Sequence, residues 1–113
     1  MFVILWEYEV KTGREESFES TYGPHGPWVQ LFRRSPGYLS TQLLRDPFRS
    51  SSYFTLDFWD SENAYQQFKA AYRADYELLD HTTSDFFLFE RYGGSFLRLP
   101  GEANNQNGPT STS

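Results

Sequence analysis

Few side chains in this sequence could do chemistry. Cysteine is absent, which removes thiolate nucleophiles, iron–sulfur clusters, Cys-ligated zinc and disulfides together. The two histidines, His25 and His81, stand far apart, and no HExxH-type spacing is present, so no metal site is expected. Four residues are candidates for catalysis. Asp57 shares one face of a strand-like run with Tyr53, Thr55 and Trp59. A carboxylate among rings is costly unless it is paired or protonated. Asp57 is therefore either an ion-pair or edge residue, or a base of raised pKa able to deprotonate a phenol. His25 sits in Gly23-Pro24-His25-Gly26-Pro27. It is either a solvated loop residue or an imidazole that a rigid loop presents at a pocket mouth, as a base near neutral pH. Trp59 and Tyr65 suit packing at a strand–helix junction. Equally, an indole N–H and a phenol could orient a substrate hydroxyl or a peroxy oxygen. His81 reads as a helix C-terminal residue favoured by the dipole.

The composition says what such groups would act on. There are 11 Phe, 8 Tyr and 3 Trp, and these rings outnumber Val, Ile, Leu and Met combined. They either build the core or, in part, line a cavity for a flat apolar ligand. The net charge is −5 and the basic residues are scattered, Arg33-Arg34 being the longest run. A nucleic-acid footprint needs a clustered positive face, so neither nucleic acid nor an anionic membrane is an expected partner. No stretch approaches the ~18 apolar residues of a membrane span. The opening FVILWEYEV has no basic region before it and no cleavage site after it, and reads as a strand, not a leader. A cytoplasmic location is expected, in keeping with the lack of cysteine.

The elements that would position these residues follow from periodicity. Residues 2–10 alternate, with Phe2, Ile4, Trp6, Tyr8 and Val10 on one face. Residues 14–22 suggest a short helix, and Pro27 suits the first turn of a second one carrying Trp28, Leu31 and Phe32. Residues 38–46 form the next strand, with Leu39, Thr41 and Leu43 on one face. Residues 53–59 alternate again, Phe54, Leu56 and Phe58 opposing Tyr53, Thr55, Asp57 and Trp59. Ser61 is a fitting N-cap for a long helix whose stripe is Tyr65, Phe68, Tyr72, Tyr76 and Leu79. Residues 85–92 are the last strand, ended by Gly93-Gly94, with Phe96-Leu97-Arg98-Leu99 a candidate for a short extension. The domain is expected to span 1–99. Residues 100–113, rich in Gly, Asn, Ser and Thr, are expected to form a disordered tail.

The order β-α-β-β-α-β is the ferredoxin-like arrangement of an α+β domain. Helices so placed cover one face of a four-stranded sheet, and the third and fourth strands carry aromatics on both. The pattern therefore calls for a second copy of the chain, a homodimer.

Three segments carry a family likeness: Ser35-Pro36-Gly37-Tyr38-Leu39-Ser40-Thr41, Trp59-Asp60-Ser61-Glu62-Asn63-Ala64-Tyr65 and Phe89-Glu90-Arg91-Tyr92-Gly93. Through them the chain resembles the antibiotic biosynthesis monooxygenase family of the dimeric α+β barrel superfamily, over residues 2 to about 96. The resemblance implies a homodimer and a pocket between sheet and helices. Some members oxygenate polycyclic aromatic phenols with no metal or flavin, the substrate's own carbanion reducing oxygen. It implies a cofactor-independent monooxygenase acting on a small aromatic or quinone-type metabolite. The alternative is a non-catalytic dimeric module for hydrophobic-ligand binding or for interaction. Trp59 and Tyr65 match the family's tryptophan and tyrosine. Thr55 stands where those enzymes place an amide. With Phe68, Tyr72 and Trp28, it would contact substrate. A related branch degrades haem, using a helix tryptophan and a histidine ligand. Those positions fall on Phe68 and Leu78, with His81 about one turn late.

Overall fold

The alternating run at the start becomes β1 (Phe2–Val10), with Phe2, Ile4, Tyr8 and Val10 buried. The computed structural model describes residues 1–100; the tail expected over 100–113 lies outside them, Pro100 excepted. After β1 come α1 (Glu15–Tyr22), α2 (Pro27–Phe32), β2 (Tyr38–Arg45), β3 (Ser52–Trp59), α3 (Glu62–Ala71), α4 (Arg73–Thr83) and β4 (Phe87–Leu97). The strands form one antiparallel sheet in the order β2-β3-β1-β4. This is the ferredoxin-like α+β topology, each helical position being filled by two segments.

Register decides what each face holds. Phe2, Ile4, Trp6 and Tyr8 oppose Trp59, Asp57, Thr55 and Tyr53 across β1 and β3. Opposed residues share a face. That face carries the helices, and rings meet across it: Phe18 lies 4.8 Å from Tyr53 and Phe32 lies 5.6 Å from Trp59. The other face carries Val3, Leu5, Phe54, Leu56, Phe58 and Phe96, with no helix among the described residues packed over it.

Two of the three segments quoted for the family likeness, 35–41 and 59–65, turn out to be neighbours. Gly37 O accepts the Asp60 N–H at 2.8 Å, and a Cβ on Gly37 would stand 2.4 Å from that of Ala64. At the Pro-Gly turn α3 comes so near that glycine is needed to leave it room. Ser61 caps α3 as expected, its Oγ accepting the Ala64 N–H at 3.0 Å.

Three expectations need correction. The long helix is two helices, interrupted at Tyr72 (φ −117°, ψ 30°), whose ring lies against Phe68 while its phenol donates to Arg34 O at 3.3 Å. Leu39 does not share a face with Thr41 and Leu43: a register shift between Tyr38 and Ser40 makes Tyr38 their companion and leaves Leu39 exposed. Gly93-Gly94 does not end β4. The strand runs on to Leu97 through an irregularity there, and Gly94 adopts φ +132°, a conformation other residues rarely take.

Candidate active site

Between the sheet and the helices lies an aromatic-walled cleft. Its floor is the sheet: Thr41 from β2, Thr55 and Asp57 from β3, Trp6 and Tyr8 from β1. Tyr22, Trp28, Val29 and Phe32 close it from α1 and α2, and Tyr76 and Asp80 from α4, while Glu90 of β4 stands at the rim. The cleft encloses about 400 Å³ counted to its open mouth. Of this, about 30 Å³ is free to the centres of water molecules, room for one or two.

Asp57 is the buried carboxyl on the floor of this cleft. It is 7% exposed, opposite Ile4 on one side and Thr41 on the other. Burial pushes its carboxyl from 3.8 up to about 7, although a hydrogen bond from Thr41 pulls the other way. Thr41 Oγ1 donates to Asp57 Oδ1 at 2.8 Å and itself accepts from the Tyr38 phenol at 2.8 Å. This chain, Tyr38 to Thr41 to Asp57, fixes the carboxyl's orientation and leads to a half-buried phenol.

A second polar cluster holds the wall. The Thr83 hydroxyl accepts from Tyr22 at 3.1 Å and from the Trp28 indole at 3.3 Å, and donates to Leu79 O at 2.8 Å. A hydroxyl has one donor and two acceptor positions, so Thr83 is saturated. Trp28 therefore turns its N–H away from any ligand and offers its ring. On the opposite side, Tyr8 donates to Glu90 at 2.9 Å. Burial, and after it the charge of Asp80, raise the pKa of Glu90 against that bond.

The candidates from sequence, His25 and Tyr72 excepted, divide between the cleft and the core beside it. Asp57, Thr55 and Trp28 line the cleft. Trp59 is fully buried, with its ring centroid 5.1–5.6 Å from those of Phe32, Tyr38, Tyr65 and Phe68. Its Nε1 is the one buried side-chain nitrogen or oxygen without a hydrogen-bond partner among the described residues. Tyr65 and Phe68 belong to the same ring cluster, and burial raises the Tyr65 phenol to about 12. Tyr72 lies at the helix break. His25 is exposed on the α1–α2 loop, where its carbonyl accepts from Gln30 at 3.1 Å, and it does not line the cleft. Sequence reading passed over Thr41, Tyr76, Asp80 and Glu90. Asp80 follows Tyr76 by four residues, the spacing of one helix face, and that signal was present.

The class of protein follows: a ferredoxin-like α+β domain with a carboxylate-floored aromatic cleft between sheet and helices. The chain belongs to the antibiotic biosynthesis monooxygenase family, whose model matches residues 1–74. SnoaB, a cofactor-independent oxygenase from Streptomyces nogalater, superposes with a TM-score of 0.74 at 18% identity, covering 91% of this chain and 97% of that one. A variant of MhuD with two manganese protoporphyrin IX molecules per active site gives 0.69 at 22%, covering 92% and 100%. At these identities the structural likeness speaks to the fold alone. No curated protein sequence matches the chain.

A haem would need an axial donor and room for its carboxylates. The branch positions hold Phe68 and Leu78, while His81 is exposed and does not line the cleft. Three carboxylates face or rim the space. The residues present do not fit the group.

Proposed function

We propose that this chain is a cofactor-independent monooxygenase of a small aromatic or quinone-type substrate, with Asp57 as its base. The observation that carries the reading is a buried carboxyl, pushed up to about 7, on the floor of an aromatic cleft. A base of that pKa is half-ionised near neutral pH, where proton transfer in either direction is cheapest. In an anthrone-like phenol, a C–H bond of the methylene that lies across the central ring from the carbonyl breaks and its proton goes to Asp57. The electron pair left behind reduces oxygen. One oxygen atom stays on the carbon as a carbonyl and the other leaves as water with the two hydrogens. The rings exclude bulk water while this happens.

A substrate ring is larger than the free space, so a wall must give. Tyr76 is shared between the inner cleft and an outer concavity of about 500 Å³ lined by Gln66, Lys69, Ala70, Arg73 and Glu77. It lies four residues after the helix break at Tyr72. Tyr76 is thus the door of the reading. Trp59 and Tyr65 support it from the core behind Asp57 and need not touch substrate. The bare sheet face is covered by a second copy of the chain, completing a barrel.

The test is oxygen uptake by the full chain with a panel of anthrone-like phenols. The unmutated protein should exceed the uncatalysed rate with at least one. Asp57→Asn should lower turnover by roughly a hundredfold or more, in line with loss of a general base. Uptake at the uncatalysed rate throughout would leave the hydrophobic-ligand module as the better reading.

A further inference from the structure

The cleft has a charge as well as a shape. Its lining includes Asp57, Asp80 and Glu90, and no lysine, arginine or histidine. Lys69 lies on the outer side of Tyr76, 4.8 Å from its ring centroid, and is not part of the lining. Arg91 is turned to Glu7, 3.5 Å away on the bare face of the sheet.

Asp57 supplies an independent sign of a ligand. Among the described residues its side chain receives one hydrogen bond, from Thr41 to Oδ1. A carboxylate that is 7% exposed keeps its second oxygen for whatever occupies the cleft. The acids are spread around the space: no group of three among the described residues could hold a metal ion. Spread carboxylates between ring faces suit an organic cation, whose charge is satisfied by carboxylates on one side and π-faces on another.

We propose that the cleft selects planar aromatic compounds carrying a protonated amine, and rejects counterparts carrying a carboxylate. The proposal rests on the cleft being the substrate site and names the substrate class. The chemistry asks for the same partner. Proton transfer to Asp57 moves one negative charge from the protein to the substrate, beneath Glu90 and Asp80. No lining residue offsets it. An ammonium on the substrate does.

The test compares 9-(aminomethyl)anthracene with 9-anthracenecarboxylate as probes, by quenching of tryptophan fluorescence in the full chain. The ammonium compound should bind tighter by about tenfold or more, as expected for two partly solvated charge contacts. The preference should shrink in Asp80→Asn and in Glu90→Gln, and persist in Glu62→Gln, an acidic residue outside the cleft. Asp80 is exposed and has no side-chain hydrogen bond to lose among the described residues, so that variant carries the test if Glu90→Gln is unstable. Equal binding, a preference for the carboxylate, binding of neither probe, or a preference that survives both rim substitutions would overturn the proposal. Absence of oxygen uptake with the ammonium preference intact would sink the oxygenase reading alone. Turnover of neutral phenols without charge preference would sink this proposal alone.

Discussion

Asp57 links stability to pH in a direction opposite to most carboxylates. Its folded pKa, about 7, lies above the usual 3.8. The fold therefore favours the protonated form. The stability contributed by this group is fully present below about 4 and is lost as pH rises to about 7, a difference of ~4 kcal/mol. Asp57→Asn, which keeps an acceptor for Thr41, should melt well above the unmutated protein at about pH 8 and no higher at about pH 4. A gain that is the same at both values would mean that Asp57 titrates as an ordinary carboxyl. Thr83 offers a second test at this scale. Thr83→Val keeps the shape but strands the Tyr22 phenol and the Trp28 N–H in the core. Chemical denaturation should show a loss of about 1–3 kcal/mol, and no loss would mean that those donors find other partners. The face shared by Asp57 and Thr55 was legible from alternation. Their partnership with Thr41 was not, because it depends on a register that no local pattern prints.

At the scale of elements, the strands, the Ser61 cap and Pro27 at the start of α2 could all be read, since each signal lies within a few residues of its effect. The break at Tyr72 could not. No proline or glycine marks it, and Tyr65, Phe68, Tyr72, Tyr76 and Leu79 continue one stripe across it; the chain bends where the Tyr72 phenol finds the Arg34 carbonyl, thirty-eight residues away. The irregularities near Leu39 and in β4 are likewise set by partner strands. Gly37 tests the close approach of α3 to the turn before β2. Gly37→Val would drive side-chain atoms into Ala64 and should lower unfolding stability by about 1–3 kcal/mol. A neutral result in urea titration would show that α3 rides further from the turn.

For the whole molecule, the sheet has one face packed with rings and one bare. Phe96 is 53% exposed and Leu44 44%, alongside Phe54, Leu56 and Phe58. The pattern calls for a partner over this face, and a second copy of the chain is the expected one. Light scattering should find a dimer at micromolar concentration, and Leu56→Arg should yield monomers; a monomeric unmutated protein would contradict the expectation. The composition announced an excess of rings, but only the fold shows that the excess serves a core, a cleft and a bare face at once. The central claim is that Asp57 acts as a base in that cleft. It is tested most directly by the pH dependence of oxygen uptake with an anthrone-like phenol, corrected for the uncatalysed rate at each pH. The active form of a base is the carboxylate, so the account predicts a rate that rises with pH through a midpoint near 7 and then levels. In folded Asp57→Asn that rise should be gone. A variant that keeps both the rate and the midpoint would contradict the account.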